Sequence, residues 1–206
     1  MIHTGIVQYL SEIDTNIFLF FNGIHSPFWD YFMSSFTGKF IWVPMYATIL
    51  YILLKNFHWK VVLCYVAAIV LTITFADQMC SSIIRPVVAR LRPANPENPI
   101  VDLVYIVNGY RGGSYGFPSC HAANSLGLAM FVIFLFRKRW LSIFILTWAI
   151  LNCYTRIYLG VHYPGDLLVG GIIGGFGGWL FCTIAHKAAI YLKPSTRTKR
   201  KEIKQW

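Results

Sequence analysis

Apolar residues gather in five long runs between positions 40 and 186, and polar residues cluster at the edges of those runs. A helix needs ~20 residues to cross a hydrocarbon core of about 30 Å. The runs predict spans over 40–56, with Pro44 near its start, and over 60–84, 120–136, 139–156 and 163–186. The second is uncharged from Val61 to Ala76, and Asp77 beyond it reads as a membrane-flanking acid. In the last, Gly170, Gly174 and Gly178 recur every fourth residue, which puts them on one helix face where a second backbone can approach closely. That spacing favours helix packing over a glycine-rich phosphate loop.

Residues 1–39 are apolar but interrupted. Ile17 to Phe21 is too short to span, Asn22-Gly23 and Ser26-Pro27 break the pattern, and Asp14-Thr15 and Ser26-Pro27 suit helix starts. Phe18, Phe20, Phe21, Phe28, Trp29, Tyr31 and Phe32 fit a headgroup zone. One or two interfacial helices are expected, with a tilted sixth crossing as the alternative. The fold class is therefore all-α: an integral membrane bundle of five or six spans over 40–186, interfacial helices over 1–39 and a basic tail over 187–206.

Composition agrees. The chain of 206 residues is 56% hydrophobic and 13% charged, with a mean hydropathy of +0.55; soluble domains are near one quarter charged. The net charge of +10 raises nucleic acid as a partner, but the distribution of that charge argues against it. Seven of the 18 basic residues lie in the last twenty positions, and Arg137-Lys138-Arg139 sits between two apolar runs. Such clusters set topology or meet anionic lipid. With five spans, Lys55 and Lys60, the Arg137–Arg139 cluster and the tail share one side, expected to be cytoplasmic. The connections 85–119 and 156–163 then share the outer face. No signal-peptide pattern opens the chain, so the first membrane helix is expected to direct targeting. The cysteines Cys64, Cys80, Cys120, Cys153 and Cys182 show no metal-ligand spacing, and four of them read as small hydrophobes.

The outer connections hold three polar clusters: Arg85 with Arg92-Pro93, then Pro118-Ser119-Cys120-His121, then Arg156 with His162 and Asp166. Guanidinium groups are permanent, planar donors matched to phosphate oxygens. Arg85 and Arg92 are seven positions apart, two turns on one face if helical, although Pro86 and Pro93 make that alignment approximate. As single features these arginines, with Arg90, equally suit lipid headgroups. Ser119 fits the N-cap of the third span, where free N–H groups attract an anion, and His121 falls in its first turn. Pro164 fits the first helical position of the fifth span, so Asp166 falls near N3 and can reach back to the imidazole of His162.

These spacings resemble the signature of the type 2 phosphatidic acid phosphatase superfamily, K-x6-R-P, P-S-G-H and S-R-x5-H-x3-D. That group includes membrane lipid phosphatases, soluble bacterial acid phosphatases and vanadium haloperoxidases. Arg85 stands where Lys is usual, Cys120 where Gly is, and Thr155 where Ser is. The resemblance implies that His162 attacks phosphorus to form a phosphohistidine, with Asp166 orienting it. It implies that His121 protonates the leaving oxygen and then activates water, while Arg85, Arg92, Arg156, Ser119 and the N–H of Cys120 bind the phosphoryl group. No metal or cofactor is implied, and vanadate or phosphate is an expected site ligand. Cys120 raises a rival thiol nucleophile, but the C-x5-R loop that such chemistry uses is missing.

The expected activity is metal-independent hydrolysis of a membrane lipid phosphate or diphosphate at the outer face of a prokaryotic inner membrane. Undecaprenyl diphosphate, phosphatidylglycerophosphate, phosphatidate and lipid A phosphate are the candidate substrates. Phosphotransfer from the same phosphohistidine, or non-catalytic binding or transport of lipid phosphate, are the alternatives. The 94–117 connection, with Glu97, Asp102, Tyr105, Tyr110 and Arg111, would shape substrate choice, and Gly112-Gly113 suggests mobility there.

Overall fold

The computed structural model describes residues 2–38 and 40–192, and these form helices joined by short turns and one long connection. The tail expected over 193–206 lies outside the described residues. In chain order the helices are α1 (Ile2–Asn22), α2 (Pro27–Phe36), α3 (Val43–Asn56), α4 (Trp59–Asp77), α5 (Arg85–Val88), α6 (Cys120–Phe136), α7 (Arg139–Tyr158) and α8 (Pro164–Tyr191). A π-helical stretch, Gln78–Ile84, runs from α4 into α5, so Trp59–Val88 forms one apolar rod of 30 residues. Among the described residues the only β pairing is the isolated antiparallel bridge between Leu91 and Tyr115.

Three helices meet the length and hydropathy of a span: Trp59–Val88, Arg139–Tyr158 and Pro164–Tyr191. The 120–136 run is an apolar helix but only 17 residues long. The 40–56 run supplies only the 14-residue α3 and a preceding turn, and α3 alone reaches about 21 Å. It attains the length of a span only with α2, across a sharp bend.

Two further expectations are corrected. α1 is one continuous helix of 21 residues, so Asp14-Thr15 starts nothing and Ile17–Phe21 is its last part. Asp77 lies within the Trp59–Val88 rod, where its Oδ1 accepts from Asn124 Nδ2 at 3.3 Å. α8 continues past 186 to Tyr191, so Lys187 is helical. Ser26 does cap α2, accepting from Trp29 N at 3.5 Å.

Lipid tails are as apolar as Leu, so helices in a bilayer gain little from burying grease and associate through close packing. Here that packing is most extensive between α6 and α8. A Cβ on Gly170 would overlap the Ser119 carbonyl, one on Gly174 the Ala123 carbonyl, and one on Gly178 the Gly127 carbonyl. The glycine face predicted from spacing therefore meets the backbone of α6 directly. Phe131, Val132, Ile145 and Leu53 fill the core between these helices and α3, α4 and α7. The N-terminal end of α8 is thereby fixed beside the N-terminal end of α6.

Candidate active site

All three polar clusters come together at that shared end. Tyr163 is the N-cap of α8, Pro164 its first residue and Asp166 its third, as the sequence predicts. Asp166 Oδ2 accepts from Tyr163 N at 3.1 Å and from His162 Nδ1 at 3.3 Å. An ionised carboxylate only accepts, so Nδ1 carries the proton and Nε2 keeps its lone pair. That lone pair accepts from Arg92 Nη1 at 3.2 Å. His162 is 1% exposed and Asp166 fully buried. Burial, reinforced by Arg92 and Arg156 and opposed by Asp166, pushes the His162 imidazole down to about 4, so it is neutral at physiological pH.

The arginines reach this point from three segments. α5 ends at Val88 and Ala89 turns left-handed at φ 47°, so Arg85 and Arg92 do not share a helix face. They converge instead because the chain doubles back: Arg92 N donates to Ser114 O at 3.0 Å and Gly116 N to Arg90 O at 2.9 Å. Arg92 is further fixed by donating from Nε to Tyr115 O at 3.1 Å. Arg156, 2% exposed, comes from the last turn of α7 and lies near both Arg92 and Tyr110. The Nε atoms of Arg85 and Arg156 are buried with no hydrogen-bond partner.

Ser119 is fully buried as the N-cap of α6, its Oγ accepting from Ala122 N at 3.4 Å while its own N donates to Asp166 O at 3.0 Å. His121 is exposed in the first turn of that helix. The two charge-site departures from the signature meet each other. Arg85 Nη2 donates to Cys120 Sγ at 3.0 Å and to Pro118 O at 2.9 Å. The thiol that replaces Gly packs against Ala76, Cys80 and Ala123 and holds the guanidinium that replaces an ammonium.

Several residues were invisible as site residues in the sequence. Arg90 bonds Asp166, Asp14 of α1 bonds Arg90, and Asn98 Nδ2 donates to Tyr163 OH at 3.0 Å. Gly112, at φ +70°, passes so close to Arg92 that a Cβ would lie 2.9 Å from Nη1. Its glycine thus serves a close approach to the site. Among the described residues no three His, Cys, Asp or Glu side chains come together to hold a metal ion.

A helical membrane bundle with a His–Asp pair among three arginines at one end defines a class of phosphoryl-handling proteins. The chain belongs to the PAP2 superfamily, whose family model matches residues 62–190. It is 76% identical over 190 residues, 92% of its length and 84% of the relative's, to the lipid A 4'-phosphatase of Bacteroides thetaiotaomicron. It is 35% identical to the lipid A 4'-phosphatase of Porphyromonas gingivalis over 93% of this chain and 86% of that one. An undecaprenyl-diphosphatase of Sulfolobus acidocaldarius is 28% identical over 77% of this chain and 70% of its own. Two solved structures share the fold. The crystal structure of Aquifex aeolicus LpxE has a TM-score of 0.57 at 24% identity and covers 84% of this chain and 94% of its own. The PAP2-type phosphatidylglycerolphosphate phosphatase of Bacillus subtilis has 0.56 at 22%, covering 95% and 92%.

Proposed function

We propose that this protein is a lipid phosphatase that removes the 4'-phosphate of lipid A. The observation that carries the reaction class is the buried His162, with Nδ1 donating to Asp166 and the lone pair of Nε2 accepting from Arg92. When phosphate oxygens take the Arg92 guanidinium, that lone pair is released toward phosphorus. Nε2 forms the P–N bond as the P–O ester bond breaks, and His121 gives its proton to the departing sugar oxygen. His121 then takes a proton from water, whose oxygen displaces Nε2 and frees inorganic phosphate. Arg85, Arg92 and Arg156, with Ser119 and the N–H of Cys120, stabilise the charge on the equatorial oxygens. The orphaned Nε atoms of Arg85 and Arg156 are donors that such oxygens would satisfy. High identity to lipid A 4'-phosphatases over nearly the whole chain supports the substrate.

The site would face the periplasm. It lies where α6 and α8 begin, whereas Arg137–Arg139 lies where α6 ends and α7 begins, and basic loops stay cytoplasmic.

The test is mass spectrometry of products formed by the purified protein in detergent, with EDTA, from bis-phosphorylated lipid A, undecaprenyl diphosphate and phosphatidylglycerophosphate. Loss of the 4'-phosphate alone is expected. His162→Ala should lower turnover at least about a thousandfold. Wild-type turnover in that variant overturns the phosphohistidine, and preference for either other lipid overturns the substrate.

A further inference from the structure

The polar chain at the site does not stop at Asp166. Its Oδ2 is taken by His162 and Tyr163, and its Oδ1 accepts from Arg90 Nη1 at 3.0 Å. The same Nη1 donates its other hydrogen to Asp14 Oδ2 at 2.7 Å. The other oxygen of Asp14 accepts from Gly165 N, in the first turn of α8, at 2.7 Å. The Arg90 guanidinium carbon lies 3.9 Å from the centre of the Tyr163 ring, which holds it from a further direction. A Cβ on Gly165 would stand 2.8 Å from Asp14 Oδ2, so a side chain there would push this carboxylate from its place. Asp14 lies outside the matched family region, on a helix that brings Phe18 to within 5.3 Å of Tyr163.

We propose that Asp14 and Arg90 are positioning residues for the His162–Asp166 pair: Arg90 locks the Asp166 carboxylate, and Asp14 restores the negative charge that Arg90 cancels. The proposal rests on His162 being the nucleophile. Asp166 is fully buried, so without Arg90 its Oδ1 would face no cation and the carboxylate could rotate away from Nδ1. With Arg90 alone, the pair beside His162 would be neutral and would stabilise a positively charged phosphoimidazole poorly. Asp14, Arg90 and Asp166 together carry one net negative charge in a fixed geometry. Asp166 from α8, Arg92 from the segment after α5 and Arg156 from α7 are the charged groups that face the imidazole itself. The carboxylate of Asp14 acts on it through Arg90.

The charge count gives opposite signs for the two residues. Asp14→Asn removes a negative charge and disfavours the imidazolium, so the acid limb of kcat/KM should move to lower pH, by about half a unit or more. Arg90→Gln removes a positive charge and should move it to higher pH by a similar amount. The double variant returns the net charge to its original value, and its limb should lie near that of the wild type. The substrate's own titration is common to every variant, so displacements between them belong to the protein. Turnover should fall about tenfold in Asp14→Asn, with KM within about threefold of wild type.

The experiment measures kcat, KM and the acid limb for the full-length wild type, both single variants, the double variant, Asp14→Glu and His162→Ala. Asp14→Glu keeps the charge and should keep the limb in place. Limbs that move in the same direction, or not at all, overturn the proposal, since lost packing alone predicts no opposed displacement. Should Asp14→Asn not fold, Arg90→Gln and Asp14→Glu decide it: an unmoved limb in the first or a displaced one in the second overturns it. Wild-type turnover in His162→Ala would instead overturn the nucleophile, independently of where the limbs fall.

Discussion

Between α6 and α8 contact is made by side chains that are missing; between the N-terminal helices and the rest of the protein it is made by polar clamps beside a few buried apolar side chains such as Phe18 and Met33. Gly170, Gly174 and Gly178 lie against the carbonyls of Ser119, Ala123 and Gly127, with no room for a methyl group. By contrast, α1 leaves Ile6, Leu10, Ile13, Ile17 and Phe20 exposed, and attaches through Asp14, Phe18 and Asn22. Asn22, 1% exposed, donates to the carbonyls of Tyr105, Ile157 and Tyr158 and accepts from Tyr105 N. On α2, Asp30 accepts from the hydroxyls of Tyr158 and Tyr105 at 2.6 and 2.7 Å. The glycine contact sets the distance between the two motif-bearing helix starts. The polar clamps dress that frame with the residues that orient it and with the 94–117 connection.

The largest effect should come from filling the glycine contact. Gly174→Ala drives a methyl group into the Ala123 carbonyl, and neither backbone can yield without parting α6 from α8. A loss of about 3 kcal/mol and a fall in turnover of a hundredfold or so are expected, because small displacements of reacting groups are costly. Gly175→Ala is the matched control: its nearest neighbour would be Met130 Cγ at 3.5 Å, an ordinary contact. Thermal melting and turnover in detergent, measured side by side, decide the matter. Equal behaviour of the two variants would mean that the contact is not what holds the site.

A smaller effect is expected from the clamp. Asn22→Ala strands the Tyr105 and Tyr158 carbonyls and the Tyr105 N–H in a largely buried place, while the Ile157 carbonyl keeps Gly160 N; the loss costs roughly 2–3 kcal/mol. Chemistry should suffer less than order in the 94–117 connection, so amide exchange there should accelerate while turnover falls less than in Gly174→Ala. Unchanged exchange around Tyr105 would show that the connection is held by its own contacts.

The two regions also differ in how far the sequence discloses them. Local spacing encodes whatever repeats along one helix or caps it. The glycine face of α8, the Ser119 cap and the reach of Asp166 back to His162 were all legible for that reason. Arg85 and Arg92 were legible as a pair but not in their geometry, because the turn at Ala89 and the pairing with Ser114 and Gly116 replace the helix that would have aligned them. Asp14, Asn22 and Arg90 were read as a cap, a break and a headgroup contact, and Asp30 gave no signal. Their partners lie 75 to 136 positions away or more, and no periodicity signals such a distance. Cys120 stood as a bare departure until its sulfur met Arg85.

The smallest effect is one of pH, and it too separates the regions. His162 belongs to the glycine-built half, and burial holds its imidazole at about 4, against about 6.5 when unfolded. Between those values the unfolded chain takes up a proton that the folded chain refuses. The stability this residue contributes is therefore complete above about pH 6.5 and is lost as pH falls toward 4. His162→Gln is neutral throughout and lacks that dependence, so the melting difference between it and the wild type should change across this window. Asn22→Ala alters no titrating group, and its deficit relative to wild type should stay level over the same range. Inorganic phosphate bound beside His162 favours the imidazolium and should raise the lower edge of the window, narrowing it toward the unfolded value. A constant difference for His162→Gln from about pH 7 to 4.5 would mean that burial does not keep this imidazole neutral.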